Sequence, residues 1–276
     1  MCQCLEVSRS GYYEWCNREP SQRVLANVAL DVEISNVYHV HFGRYGSPRI
    51  TRELQTNGIE CSENRVAKRM QSMGIMAKGK RKFKATTDSK HSLPVFPNLL
   101  ERDFTASYSN EKWCTDITYV WTEEGWLYLC VFIDLYSRAV IGWSMDKRIN
   151  KDLVCNALTM ALWRRGFPKG VVVHSDRGSQ YASKRYRKLL KTHQLIGSMS
   201  RKGDCWDNAC AESFFHTLKV ENTNHFVYKT REQAKQNTFE YIEVYYNRMR
   251  KHSSIGFCTP NEYEKLSYNL VNRVVR

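Results

Sequence analysis

Three stretches between Trp113 and Met145 set the narrowest limits on how this chain can fold. DITYVW, WLYLCVFIDL and RAVIGWSM are dense in β-branched and aromatic residues and are parted by tight connections at Gly125 and at Tyr136 and Ser137. Short strands joined this closely predict an antiparallel meander. The period then changes: Lys151 to Arg165 reads as a helix stopped by Gly166, VVVHS from Val171 as a buried strand, SKRYRKLLKTH as a helix, LIGSMS as a strand, and a final helix starts near Trp206. A meander followed by alternating helix and strand is the order of an α/β mixed sheet with helices on both faces. The sequence carries no internal repeat.

Upstream of the strands the pattern is helical. PRITRELQTNG has Pro48 at a first helical position and Gly58 as its stop; the next helix is capped by Ser62, places Val66, Met70 and Met73 on one face and ends at Gly74. Two short helices joined by a turn suit a helix-turn-helix, whose second helix enters the DNA major groove, and suit any small helical bundle equally. Lys78, Lys80, Arg81, Lys82 and Lys84 then crowd into a basic run that serves as a solvated tether or as a phosphate-neutralising strap. Pro94 and Pro97 oppose regular structure. The expected division is an N-terminal segment 1–28, a helical DNA-binding domain 29–84, a linker 85–107, a core 108–228 and a C-terminal helical extension 229–276. In that extension Thr230 and Gln233 form a capping box, and Phe239, Ile242, Tyr246 and Met249 share a packing face. The basic Arg248, Arg250, Lys251 and His252 that follow suit bound DNA or a wet surface equally.

Composition narrows the function classes. A net charge of +14 over 276 residues favours a polyanionic partner, most economically nucleic acid. The polar start MCQCLEVSRSGYYEW is no secretory signal, and the longest apolar run, residues 126–133, falls short of a membrane span of about 20 residues. A cytoplasmic protein with no membrane partner is expected, and its ten cysteines read as reduced thiols. Neither Cys2 with Cys4, Cys205 with Cys210, nor His39 with His41 has the spacing of a zinc site.

Three carboxylates stand out. Asp116 interrupts a strand in which Ile117, Tyr119 and Trp121 alternate onto one face; a charge there is costly to bury without a cation or donors, although a strand-end position would also explain it. Asp176 lies just past the end of a buried strand, where open α/β sheets collect functional groups, or marks a turn in which Gly178 supplies backbone freedom. Glu212 shares a helix face with Asn208, His216 and Lys219, opposite Cys210, Phe214 and Leu218, a pattern that a solvated polar face also has. If the three acids meet, divalent cations offset their repulsion. Mg²⁺ prefers such hard oxygen ligands, and two ions about 4 Å apart stabilise both oxygens of an in-line phosphoryl displacement.

WCTDITYVW, HSDRGSQY and DNACAESFFHTLKVE, with 35 residues between Asp176 and Glu212, resemble the signature blocks of retroviral integrases and of the DDE transposases encoded by frameshift-type bacterial insertion sequences. VSRSGYYEW, RYGSPRI and YYNRMRKHSSIGFCTPNEY extend the resemblance over nearly the whole chain, most strongly over residues 108–263. The resemblance implies a five-stranded ribonuclease H-like sheet with Asp116 on the first strand, Asp176 after the fourth and Glu212 on a following helix, all three as catalytic metal ligands. It implies Mg²⁺ or Mn²⁺, two ions with DNA bound, activating water to cut the element ends so that the freed 3′ hydroxyl attacks a second phosphodiester. Lys219 matches the family's basic residue at the end DNA, and the two basic runs add Lys78, Lys80, Arg81, Lys82, Arg250 and Lys251 as candidate DNA contacts on their charge alone. Asn208 and His216 are candidates to support the acids, whereas Asp134 lies outside the triad and reads as structural. Expected partners are the terminal repeats, target DNA, further copies of the chain on DNA, and an upstream reading-frame product, fused or separate, because the leading helix-turn-helix and leucine-zipper region of that product is not in this sequence. A hydrolytic nuclease and a DNA-binding repressor with a passive core are the competing functions.

Overall fold

The computed structural model describes residues 2–79, 94–201 and 205–266. Lys80, Arg81 and Lys82 lie outside them. The chain divides into two compact units, Met1–Lys78 and Gly79–Arg276.

The first unit holds α1 (Arg9–Asn17), α2 (Gln22–Val40), α3 (Ser47–Thr56) and α4 (Glu63–Ser72). The boundary expected at residue 28 falls inside α2, because Ser21 caps that helix and accepts the Val24 N–H. Pro48 and Ser62 start α3 and α4 as their chemistry predicts. Leu30, Ile34 and Val37 of α2, Ile50 and Leu54 of α3, and Val66 and Met70 of α4 are the buried apolar residues of these mutually packed helices. Arg65 and Arg69 of α4 turn back onto α2, Arg69 making a two-pronged ion pair with Asp31 at 2.7 and 2.5 Å and Arg65 bonding Asn27. Asn64, Lys68 and Gln71 are left exposed on the same helix.

The second unit is built on one five-stranded sheet in the order β3-β2-β1-β4-β5, with β1 (Lys112–Thr122), β2 (Gly125–Asp134), β3 (Val140–Asp146), β4 (Val172–Ser175) and β5 (Ile196–Met199). The first three strands form the antiparallel meander, while β4 and β5 run parallel to β1. Helices α5 (Lys151–Arg165) and α6 (Lys184–Thr192) supply one packed face, where Leu153, Leu158, Leu162, Tyr186 and Leu190 meet Trp113, Cys130 and Phe132. Gly166, at φ 67°, ends α5 in the left-handed conformation that glycine adopts most cheaply. The opposite face takes α7 (Ala209–Glu221) and α8 (Arg231–Glu240), where Ala234 and Tyr228 pack on Val120 and Leu127.

Two expectations fail here. Residues 94–100, anticipated as linker, lie along β5: Met199 donates to the Pro97 carbonyl, Leu99 to the Ser198 hydroxyl, and Phe96 covers Gly197. Phe239 is 45% exposed, because the inward face of α8 runs through Ala234 and Thr238; in the π-helical turn that follows, Tyr241–Tyr246, the expected Ile242 and Tyr246 are buried together with Tyr241 and Tyr245. Asp134 is structural as read: fully buried, it accepts from Ser109 and the backbone of Asn110 and Tyr136, with Arg165 3.5 Å away. Among the described residues no helix is long and apolar enough to cross a membrane.

Candidate active site

β1 and β4 pair for only three residues, from Lys112 opposite Val172 to Cys114 opposite His174. Asp116 and Asp176 each come two residues after the last pair, the first within β1 and the second just past the end of β4, and the charge of Asp176 acts on the Asp116 carboxyl. Both are half-buried. Burial, followed by the charge of Asp176, holds the Asp116 carboxyl well above the usual carboxylate range; Glu212 adds to the rise, and the Ile117 N–H and the Lys219 ammonium oppose it. The three acids thus share one electrostatic neighbourhood.

Each carboxylate is aimed by its own local chemistry. Asp116 Oδ1 accepts from Ile117 N–H at 2.7 Å, and Asp176 Oδ1 accepts from Gly178 N–H at 2.9 Å across a short turn. Gly178 is not in the left-handed region; what it supplies is room, because a Cβ there would lie 3.0 Å from Asp176 Oδ1 and 2.7 Å from Gln180 Oε1. The turn and the site are therefore one feature. Beneath it, His174 is buried between the hydroxyls of Ser198 (2.8 Å) and Ser200 (3.1 Å), and burial brings its pKa down to about 4, so the ring is neutral.

Glu212 is exposed on α7, and partial desolvation raises its carboxyl. Asn208, just before the helix, is buried and donates to the Thr115 carbonyl at 3.4 Å, which ties α7 to β1 beside Asp116. His216 is exposed one turn beyond Glu212. Lys219 is half-buried with Nζ 4.8 Å from the centre of the Tyr119 ring. Two residues before each of Asp116 and Glu212 stand Cys114 and Cys210; a hydrogen bond between the thiols raises Cys114 and lowers Cys210, and Arg138 also touches Cys210. Among the described residues, no group of three or more His, Cys, Asp or Glu is gathered so that it could hold a metal ion. Of the other two acids, Asp176 acts on Asp116 more strongly than Glu212 does.

The proposed DNA contacts fare differently. Arg250 is a correction: it is 5% exposed, and its guanidinium grips Glu221 of α7 through three contacts of 2.8 to 3.0 Å, so it faces inward rather than toward a phosphate. Lys251 is half-buried. Lys78 closes the first unit, its backbone N–H donating to Gly43.

Two contributors escaped the sequence reading. Asp207, fully buried, accepts from Arg201 and Asn98 and pairs with Arg102, fixing the start of α7. Glu221 fixes its end. Their only signal was an acidic residue at each end of a helix already singled out.

Models of the integrase core domain match residues 106–205 and 212–268, and a model of an HTH-like domain matches residues 26–83. The transposase InsF for insertion sequence IS3A from Escherichia coli is 50% identical over 268 residues, 96% of this chain and 92% of the relative. An uncharacterized 31 kDa protein of insertion element IS600 from Shigella sonnei is 44% identical over 96% of this chain and 97% of its own length. The fold is that of a chain in a simian T-cell lymphotropic virus intasome, at a TM-score of 0.50, 14% identity, 84% of this chain and 74% of the other.

Proposed function

Since the chain belongs to the IS3-type transposases with an integrase core, a polynucleotidyl transferase family, we propose that it cuts the ends of an insertion sequence and joins them to target DNA by attack of a 3′ hydroxyl. The observation that supports this most is the proximity of Asp116 on β1 to Asp176 just past the end of β4, with the charge of Glu212 close enough to add to the rise at Asp116.

Carboxylates under mutual repulsion suit a divalent cation, and Mg²⁺ needs only one or two of them when phosphate oxygens and water complete its shell. Asp116 and Asp176 would hold such ions, with Glu212 as the third ligand on bound DNA. Mg²⁺ or Mn²⁺ supplies Lewis-acid stabilisation of the attacking and leaving oxygens. The chain's own residues do the rest. Gly178 orients the Asp176 carboxylate, Asn208 holds α7 against β1, and Lys219 offers a positive charge beside Asp116 for a DNA phosphate. Asn64, Lys68 and Gln71 on α4 would read DNA in the major groove, and Lys78, Lys251 and the basic run containing Lys80, Arg81 and Lys82 would neutralise phosphates. Activity on genomic DNA implies a cytoplasmic protein that acts as a homo-oligomer on the terminal repeats, with the upstream reading-frame product as a further partner.

Asp116→Asn, Asp176→Asn and Glu212→Gln should each lower Mg²⁺-dependent cleavage of element ends more than about a hundredfold while leaving the circular dichroism spectrum unchanged. Full activity in any one of them would overturn the assignment. A pre-cut end bearing a 3′ hydroxyl, offered together with target DNA, should give a joined product; a plain nuclease gives none, and a repressor neither cuts nor joins.

A further inference from the structure

Beside Lys219 lies a cleft of about 330 Å³ between the tip of the β1–β2 hairpin and the chain that follows α7. Tyr119, Trp121 and Trp126 line one side, Phe226 and Val227 the other, and Glu123 also borders it. The three rings on the hairpin form one edge-to-face series: Tyr119 to Trp126 at 4.8 Å and 77°, Trp126 to Trp121 at 4.7 Å and 72°. Trp121 is 58% exposed, Trp126 42% and Phe226 47%. Large aromatic surface contributes most when buried, so its collection at the mouth of a cleft in a basic protein marks a binding surface.

The hairpin is braced so that these rings are presented in place. Gly125, at φ 101°, closes the turn; Arg231 donates to the carbonyls of Glu124 and Trp126; the Thr122 hydroxyl bonds the Gly125 carbonyl at 2.6 Å; and Glu123 N–H bonds Tyr228 at 2.9 Å. The Lys219 ammonium lies against the Tyr119 ring and acts electrostatically on Asp116, so it joins the aromatic cleft to the acidic pair.

We propose that this cleft takes one unstacked nucleobase of the DNA strand being processed, stacked on Trp121 and Trp126, with its phosphate at Lys219, on the side of the cleft toward Asp116 and its neighbour Asp176. The inference rests on the reading of those acids as a site acting on DNA. Stacking on an aromatic face is open to every base but only when the base has left the duplex, which fits a reaction at a strand end. Glu123 weakens the attraction of the cleft for the backbone alone, so the base rather than the charge carries the selectivity.

The test uses the full chain without divalent ions, which separates binding from cleavage. The probes are a short oligothymidylate, the same length of fully abasic strand, and an oligothymidylate carrying one 5-iododeoxyuridine. Wild type should prefer oligothymidylate over the abasic strand by about fivefold or more, and the iodinated base should photo-crosslink to Trp121 or Trp126. Replacing both Trp121 and Trp126 by Ala should erase the preference and leave affinity for the abasic strand unchanged, whereas Phe at both positions should retain it. Equal binding of the two strands by wild type, or crosslinks found only elsewhere, would overturn the stacking site. Loss of the stacking site with cleavage intact leaves the proposed transposase chemistry standing; unimpaired cleavage by Asp116→Asn removes that chemistry whatever the crosslinks show.

Discussion

The carboxylate of Asp176 is held by a turn whose third residue meets the tips of two side chains. At Gly178 a methyl group would press on Asp176 Oδ1 and Gln180 Oε1; the Gln side chain can swing away, so Gly178→Ala should re-aim the Asp176 carboxylate rather than unfold the turn. Its expected signature is little change in denaturant titrations together with at least a tenfold drop in cleavage, about 1.4 kcal/mol at the transition state. Wild-type cleavage in that variant would show that the aim of Asp176 does not depend on the turn. Arg250 is the complementary case. Its charge is internal, paired with Glu221 at 2.8 Å, so Arg250→Ala should cost about 3–5 kcal/mol of stability in denaturant titrations. The two aspartates stood out in the sequence by position, Asp116 inside a strand pattern and Asp176 just past one, although each had an ordinary structural reading beside the functional one. Arg250 was not, because a run of cations does not say which one turns inward, and its partner lies 29 residues away.

Helix α7 is clamped at both ends, with Glu212 between the clamps. Asp207 gathers Arg201, Arg102 and Asn98 at the start, and Glu221 takes Arg250 and the Tyr241 hydroxyl at the end. Hydrogen bonds from Arg201 are the main cause that brings the Asp207 carboxyl down to about 2. A depressed carboxylate adds stability that is complete above its unfolded value near 3.8 and is lost as pH falls through its folded value near 2. Wild type should therefore be the more stable of wild type and Asp207→Asn near neutral pH, and the two should converge between pH 4 and 2, measured by urea unfolding across that range. A difference constant with pH would mean that the Asp207 charge does not hold the helix. Elements with strong end signals were readable: α5 stops at Gly166 and α4 starts after Ser62. The π turn at Tyr241–Tyr246 and the strip over β5 were hidden, since a change of winding leaves the residue types unaltered and the strip depends on contacts about a hundred residues apart.

At the scale of the whole chain, a charge of +14 implies that binding to DNA is dominated by release of counterions. Affinity for duplex DNA, followed by fluorescence anisotropy, should fall on the order of a thousandfold between about 50 and about 200 mM salt. A flat response would exclude a phosphate-led interface. The broad order of the sheet was legible from where strand period gave way to helix period, but the brevity of the contact between β1 and β4 was not, since β4 is four residues long and its partner lies far off in the sequence. That brevity has a mechanical consequence. β1 runs on to Thr122 while β4 ends at Ser175, so one acid rides on a strand still held by β2 and the other on the turn that leaves the sheet. Cutting and joining present different groups to the two carboxylates, and a rearrangement confined to that turn would reset their spacing without unpicking the ladder.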